Sequence, residues 1–420
     1  MSRAKFITRG KRLRYSVPML VGAVGMAAIG TTAGLVGAGT ASASSEPTFE
    51  IAYEGPLSGG NAALGLLQKY AVEVAIDQAN AGTTFGTLPF RLRYNEADDQ
   101  GSGTQSPTAA AALVNNPKVV AVVGPAFSGA TLAAEPTFFS HHMATVSPSA
   151  TNPTIATQGW SNFFRVVPDD SVQGPADGEY IAKALKVTKV FTVDDASAYG
   201  AGLAQAVDST LTSDGVSVTH QTAPGTTQCS AGTGDVSEYP SLASTVVSSG
   251  AQLVFYAGYY CDLALFAKQL KAAGYTGKIM SDDGSTDPHY VIDAGASVAD
   301  GTLLSCPCDI SASGKAATFA KEFQKLAGFP IGTYSAEAYD ATNTIIDVMK
   351  SIPSIASMSV TKIRPLIVAG LHKVSWVGLT KTIKFQKDGN VVGSAIDIYQ
   401  VESGKIVLLG LVPDLVKAAS

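Results

Sequence analysis

Charge, histidine and cysteine are all scarce in this 420-residue sequence, and each scarcity removes a class of function. Charged residues make up 15% of the chain against 46% apolar residues. That balance suits a well-buried globular protein and argues against disorder. There are five histidines, His141, His142, His220, His289 and His372, and none has metal-ligand spacing. Adjacent His141 and His142 point different ways on any regular element, so packing or surface roles fit them better than a metal. Catalytic signatures are missing as well. No G-x-x-x-x-G-K-[ST] loop occurs, no G-x-G-x-x-G follows the first strand, and AFSGA around Ser128 lacks the first glycine of a nucleophile elbow. The expectation is a protein that is not an enzyme and uses no cofactor or metal; a hydrolase acting through Ser128 is the enzymatic alternative.

The four cysteines are Cys229, Cys261, Cys306 and Cys308. Outside the cell an even number suggests disulfides, and sequence does not choose among the three pairings. A metal site is the alternative, but the spacing is not CxxC…CxxC, and Pro307 stiffens the short Cys306–Cys308 step.

What is present begins with an export signature. Arg3, Lys5, Arg9, Lys11, Arg12 and Arg14 precede an apolar, Gly/Ala-rich run over residues 17–39, and Ala41-Ser42-Ala43 matches a small-residue cleavage pattern. Residues 1–43 therefore read as a secretory signal, with an uncleaved membrane anchor as the alternative. Its removal shifts the net charge from −5 to about −11. So acidic a mature surface disfavours nucleic acid and anionic membrane as partners. No cysteine lies near the cleavage site to carry a lipid, so an exported, extracellular or cell-envelope location is expected.

At this length two lobes are the prior. Apolar runs at 49–53, 90–94 and 119–123 alternate with helical periods at 62–80 and 109–114. The rhythm restarts with a helix over 173–185. Strands follow at 190–193, 216–218, 253–256 and 278–280, and helices follow Tyr199, Leu242 and Leu263. Beyond Thr302 come one more strand, helices over 319–326, 338–349 and 360–372, and a β tail. In that tail Lys387-Asp-Gly-Asn390 reads as a turn between strands 383–385 and 396–401, with 405–411 as the last strand. The fold class predicted is α/β, as two doubly wound, Rossmann-like lobes with parallel sheets.

The chain is organised around residues 119–153, VVAVVGPAFSGATLAAEPTFFSHHMATVSPSATNP. Two β-branched runs there each end in a small, polar loop, and loops at the carboxyl ends of adjacent parallel strands meet at the ligand crevice. Ser128 and Thr151 would offer hydroxyls to a small anion, and a helix starting near Gly129 would point its positive end at the same spot. Ordinary N-caps are the bland reading. The second lobe offers Tyr199, Tyr259 and Asp283 at its own strand ends. Hydroxyls for a carboxylate, an acid for an ammonium and aromatic walls together suit a zwitterion.

At these residues the chain resembles the type I periplasmic binding proteins that deliver leucine, isoleucine and valine to ABC importers. The matching pieces are Gly55-Pro-Leu-Ser-Gly59, VVGPAFSGAT, VSPSATNP, Ser171-Val-Gln-Gly-Pro175, Ala198-Tyr-Gly-Ala-Gly202, Phe255-Tyr-Ala-Gly-Tyr-Tyr260 and Ser281-Asp-Asp-Gly284. The resemblance implies three hinge crossovers, near Pro168, Cys306–Cys308 and Gly378. It divides the chain into 48–167 and 307–378 for lobe one, and 168–306 and 379–420 for lobe two. It implies that Ser128 and Thr151 take an α-carboxylate, that the backbone near Ser149 and the acid of Asp283 take the α-amine, and that Tyr199 and Tyr259 close from lobe two. Leu64 stands where some members have a pocket-lining Trp, and Asp283 is shorter than the usual Glu, so the side-chain pocket differs. The function implied is a monomeric solute-binding protein that presents a small amino acid to importer membrane subunits. An amide, urea or aromatic acid as ligand, or a ligand-sensing ectodomain, are the alternatives. A Cys306–Cys308 disulfide stiffening a crossover is one further expectation.

Overall fold

Runs of β-branched residues with no polar interruption bury best as strands covered on both faces. Val119–Val123 is such a run, and every one of its five residues is buried. The computed structural model describes residues 46–225, 238–393 and 395–420; the expected signal segment and Cys229 lie outside the described residues. In chain order the first group of elements is β1 Thr48–Gly55, α1 Ala62–Asn80, β2 Arg91–Asp98, α2 Ser106–Asn115, β3 Val119–Val123, α3 Ser128–Ser140, β4 Ala144–Ser147 and β5 Phe163–Arg165. The second group is α4 Asp170–Glu179, β6 Lys189–Asp194, α5 Ala198–Ser213, β7 Ser217–Thr222, α6 Tyr239–Ser249, β8 Leu253–Ala257, α7 Tyr260–Ala272, β9 Lys278–Ser281, α8 Pro288–Ala294, α9 Ala296–Ala299 and β10 Leu303–Cys306. Three helices follow, α10 Ala317–Ala327, α11 Ser335–Ser351 and α12 Val360–Leu371. The chain then ends with β11 Trp376–Val377, β12 Thr382–Ile383, β13 Asp397–Glu402, β14 Lys405–Leu411 and α13 Val412–Ala419.

The strands form two main sheets, of order β2-β1-β3-β4-β5 and β14-β13-β10-β9-β8-β6-β7. All pairings in the first are parallel. The second is parallel from β7 to β10, and only β13 and β14 run antiparallel at its edge. Each parallel part has a reversal of strand order, between β1 and β3 and between β6 and β8, and a crevice opens at the strand carboxyl ends there. After β10 the chain returns to the first sheet, where α11 packs on α1 and α12 on β3, and it rejoins the second sheet at β13. It thus passes between the sheets three times. Among the described residues no helix is long and apolar enough to cross a membrane.

Two local expectations are corrected, and two elements are new. The turn at 387–390 forms, but it pairs Phe385 with Val391 rather than 383–385 with 396–401. Gln386 N–H to the Asn390 carbonyl at 2.7 Å closes it so tightly that little strand remains. Thr382–Ile383 instead pairs with β11, and β13 lies between β10 and β14. The helix expected over 173–185 starts three residues earlier, where Asp169 caps it by accepting from Ser171 N–H, and it ends in a π-helical turn. Strand β5 and the final α13 were not anticipated; β5 is three residues long and too short to show a period.

Cys306 and Cys308 are joined, with Cα atoms 5.1 Å apart, where β10 leads back to the first sheet. Cys261 is disulfide-bonded too.

Two side-chain knots hold the layers. Arg165, fully buried at the end of β5, donates to the Ala150 and Asn152 carbonyls at 3.0 and 2.9 Å, to Asp169 at 2.9 Å and to Asn390 Oδ1 at 2.6 Å. Arg364 on α12 donates to the carbonyls of Val114 and Val119, both at 3.0 Å. Several buried acids are raised by burial, with Lys381 opposing the rise at Glu337 and Asp340. Burial pushes Asp99, Glu135 and Glu337 up to about 7, and Asp195 and Asp340 up to about 6.

Two outcomes follow. Each of these acids binds its proton more tightly folded than unfolded, so the stability it confers is complete below its unfolded value and declines as pH rises to its folded value. Unfolding temperatures should therefore fall between about pH 4 and about pH 7, and a flat or rising profile over that window would contradict the burial assigned to these groups. Arg165→Met should cost about 3–5 kcal/mol in urea unfolding, because it leaves the Asp169 carboxylate and three further acceptors without their donor. A loss below about 1 kcal/mol, the scale of an exposed pair, would rule that role out.

Candidate functional site

The two crevices face each other and enclose a small, almost shut cavity, with about 10 Å³ of water-accessible space. From the first sheet it is lined by Leu64 and Gln68 on α1, by Ala126, Phe127 and Ser128 after β3, and by Ser149 after β4. From the second it is lined by Tyr199 at the start of α5, Tyr259 after β8 and Asp283 with Gly284 after β9; Tyr334, just before α11, completes the wall. The strand-to-helix turns account for this convergence. Gly124 ends β3 at φ +117°, and a Cβ there would come 2.3 Å from the Glu54 carbonyl, so the tight exit of this loop requires glycine.

Of the seven residues expected from sequence, six meet in this wall: Leu64, Ser128, Ser149, Tyr199, Tyr259 and Asp283. Thr151 is fully buried and outside it; its hydroxyl lies beside Asp170 and makes no hydrogen bond of good geometry. Ser128 is the first residue of α3, and its hydroxyl accepts from Asn152 N–H at 3.2 Å, tying the two polar loops together. Ser149 donates to the Ala126 carbonyl at 2.7 Å and accepts from Gln68 Nε2 at 3.0 Å.

Asp283 is the centre of the other side. It is buried, and its two oxygens accept from Tyr199 Oη and Tyr334 Oη, both at 2.6 Å. Burial raises its pKa, while the two phenols oppose the rise. Asp282 beside it accepts from Gly258 N–H at 2.9 Å, and burial, then Asp283, raises its pKa as well. Asp170 and Asp177 are also fully buried and raised, first by burial and then, for Asp170, by Asp283. Both oxygens of Asp170, Oδ1 of Asp177 and Oδ1 of Asp282 have no well-formed hydrogen bond among the described residues. This side of the site is therefore rich in buried acceptors and poor in donors. A carboxylate in such surroundings gains strongly from a cation that can donate hydrogen bonds.

Contacts across the cleft hold it shut. Phe127 stacks on Tyr259 with centroids 4.3 Å apart, Tyr260 Oη donates to the Gly60 carbonyl at 2.8 Å, and Asn152 donates to the Ala198 carbonyl. The Tyr334–Asp283 bond crosses in the same way.

Sequence reasoning missed Gln68, Phe127 and Tyr334. Gln68 had a signal: it sits four residues after Leu64 on the buried face of α1, a polar residue in an apolar stripe. Tyr334 had none, since its position follows from a left-handed turn, φ +63°, that brings α11 back to the cleft.

A family model described as periplasmic binding protein matches residues 48–405. The chain is 27% identical over 353 residues to Leu/Ile/Val-binding protein homolog 3 of Brucella melitensis, covering 84% of this chain and 91% of that one. It is 30% identical over 261 residues to an amino acid binding protein of Pseudomonas aeruginosa, covering 62% of this chain and 67% of that one. Among solved structures the fold is shared with the leucine binding protein LivK of Thermotoga maritima, at TM-score 0.75 and 23% identity, covering 86% and 98% of the two chains. It is also shared with a solute binding protein from R. palustris in complex with benzoate, at TM-score 0.74 and 20% identity, covering 87% and 96%. Two mainly parallel sheets facing each other across a polar cleft, together with a match spanning most of the chain, make this protein a member of the type I periplasmic binding proteins, the family of the Leu/Ile/Val-binding proteins.

Proposed function

We propose that this protein is the non-catalytic, exported solute-binding component of an ABC importer, and that its ligand is a small amino acid or a close amine-bearing relative. One observation carries the reading: hydroxyl-bearing loops of one half and a buried acid of the other line a single closed cavity. The ligand carboxylate goes to Ser128, with Thr151 behind it, where the positive end of α3 adds to the attraction. The ligand ammonium goes to Asp283, which exchanges a phenol donor for a charged one. Tyr199 and Tyr259 form the walls, and Leu64 and Gln68 bound the side-chain space. The relatives named above as amino acid and Leu/Ile/Val-binding proteins support the ligand class.

Entry requires the cross-cleft contacts to break, so binding is coupled to a hinge motion of the two halves about the three passages between the sheets. The closed form, with the ligand enclosed, is what the importer's membrane subunits recognise. Cys306–Cys308 stiffens one passage. The benzoate complex of a protein sharing the fold motivates a second reading, an aromatic acid as ligand; Asp283 distinguishes the two, because an acid has no ammonium for it to meet.

Two measurements test this. In a thermal-shift screen of the mature protein against the twenty amino acids, benzoate and short carboxylates, a small neutral amino acid should raise the melting temperature most. A panel with no shift, or with benzoate alone active, would sink the amino-acid reading. Asp283→Asn should weaken the best amino acid about 30-fold or more, since it removes one partner of a buried charge pair. Unchanged affinity in that variant would mean the ammonium is held elsewhere or is absent.

A further inference from the structure

A second cavity lies outside the closed cleft, along the seam between the halves. It is a groove of about 670 Å³, more apolar than polar. One side is the start of α1 and the loop before α11, with Ala63, Leu66 and Phe329. The other side is α8 and the start of α7, with Tyr260, Asp287 and Ile292. The Tyr260–Gly60 hydrogen bond joins the two sides at 2.8 Å. Ile292, which also lines the groove, is 68% exposed.

Asp287 gives this groove chemical direction. It is fully buried and forms part of the groove wall. Its Oδ1 caps α8 by accepting from His289 N–H at 2.7 Å and also meets His289 Nδ1 at 2.8 Å. Its Oδ2 is buried in the groove wall and has no hydrogen-bond partner among the described residues. A second acid, Asp293, lines the same groove; His289 lines it too, and no lysine or arginine among the described residues does. A volume of this size, apolar walls and one buried carboxylate oxygen left over are the makings of a small-molecule site. The leftover oxygen costs free energy until a donor reaches it, and a cationic donor repays most.

We propose that this groove is a second ligand site, for an amphiphilic primary ammonium whose alkyl chain lies along Leu66, Phe329 and Ile292 and whose head group pairs with Asp287. The inference stands on the groove alone and not on the ligand assigned to the cleft.

Calorimetric titration of the mature protein with n-hexylammonium chloride, with hexanol and methylammonium as controls, tests it. Hexylammonium should bind saturably with one site, and each control at least about tenfold more weakly, because each lacks one of the two contacts. Asp287→Asn keeps a capping oxygen for α8 and should weaken hexylammonium about tenfold or more. Ile292→Arg, at an exposed position that folding does not depend on, should abolish binding by crowding and like charge. Asp283→Asn should leave hexylammonium within about twofold, since that acid belongs to the cleft. No saturable binding, hexanol binding as well as the amine, or either groove variant binding like the parent would overturn the proposal. Loss of hexylammonium binding in Asp283→Asn would overturn it too, by showing that the amine goes to the cleft.

Discussion

A single buried guanidinium ties together the parts that must stay in register for the cleft to exist. Arg165 reaches the carbonyls of Ala150 and Asn152 in one polar loop, Asp169 where the chain first leaves the first sheet, and Asn390 in the turn on the way back to β13. Those carbonyls belong to a loop with no ladder of its own, and a buried loop without partners is expensive. The planar fork of arginine suits the task because it meets several acceptors at once with fixed geometry. Ser149 and Thr151 are on the loop so fixed, and Ser128 is bonded to it through Asn152. The hydroxyl side of the cleft thus depends on a cation that does not line it.

The acidic side is organised by the opposite device. Asp283 has no cation among its hydrogen-bond partners and is held by two phenols, one from each half. Neutral donors soften burial without abolishing it, which leaves the group able to gain from a better partner. The same applies, more severely, to Asp170, whose two oxygens have no well-formed hydrogen bond among the described residues. Within the cavity lining the acid Asp283 stands on one wall and Ser128 and Ser149 on the other, a polarity that matches a molecule with one positive and one negative end.

Much of this was legible in residue order. Strand runs such as Val119–Val123 are apolar throughout because both faces of a parallel sheet are covered, and small polar loops follow them where the sheet opens to a ligand. That pattern singled out Ser128, Tyr199, Tyr259 and Asp283, and all four line one cavity. The misplaced hairpin in the tail has the opposite cause. Residues 382–401 contain two short β-competent pieces; the first turns back on β11 just before it, while the second pairs with β10, far earlier in the chain, and nothing local says so.

What the sequence determined by itself was the alternation of strand and helix, and with it the class of fold, because periodicity and turn chemistry are local properties of neighbouring residues. The opposition of Ser128 and Asp283, the entry of Tyr334 from a distant helix, and the acids crowded behind them were decided only by tertiary structure. Burial raises a carboxylate's pKa through everything packed around it, and no short stretch of chain carries that information.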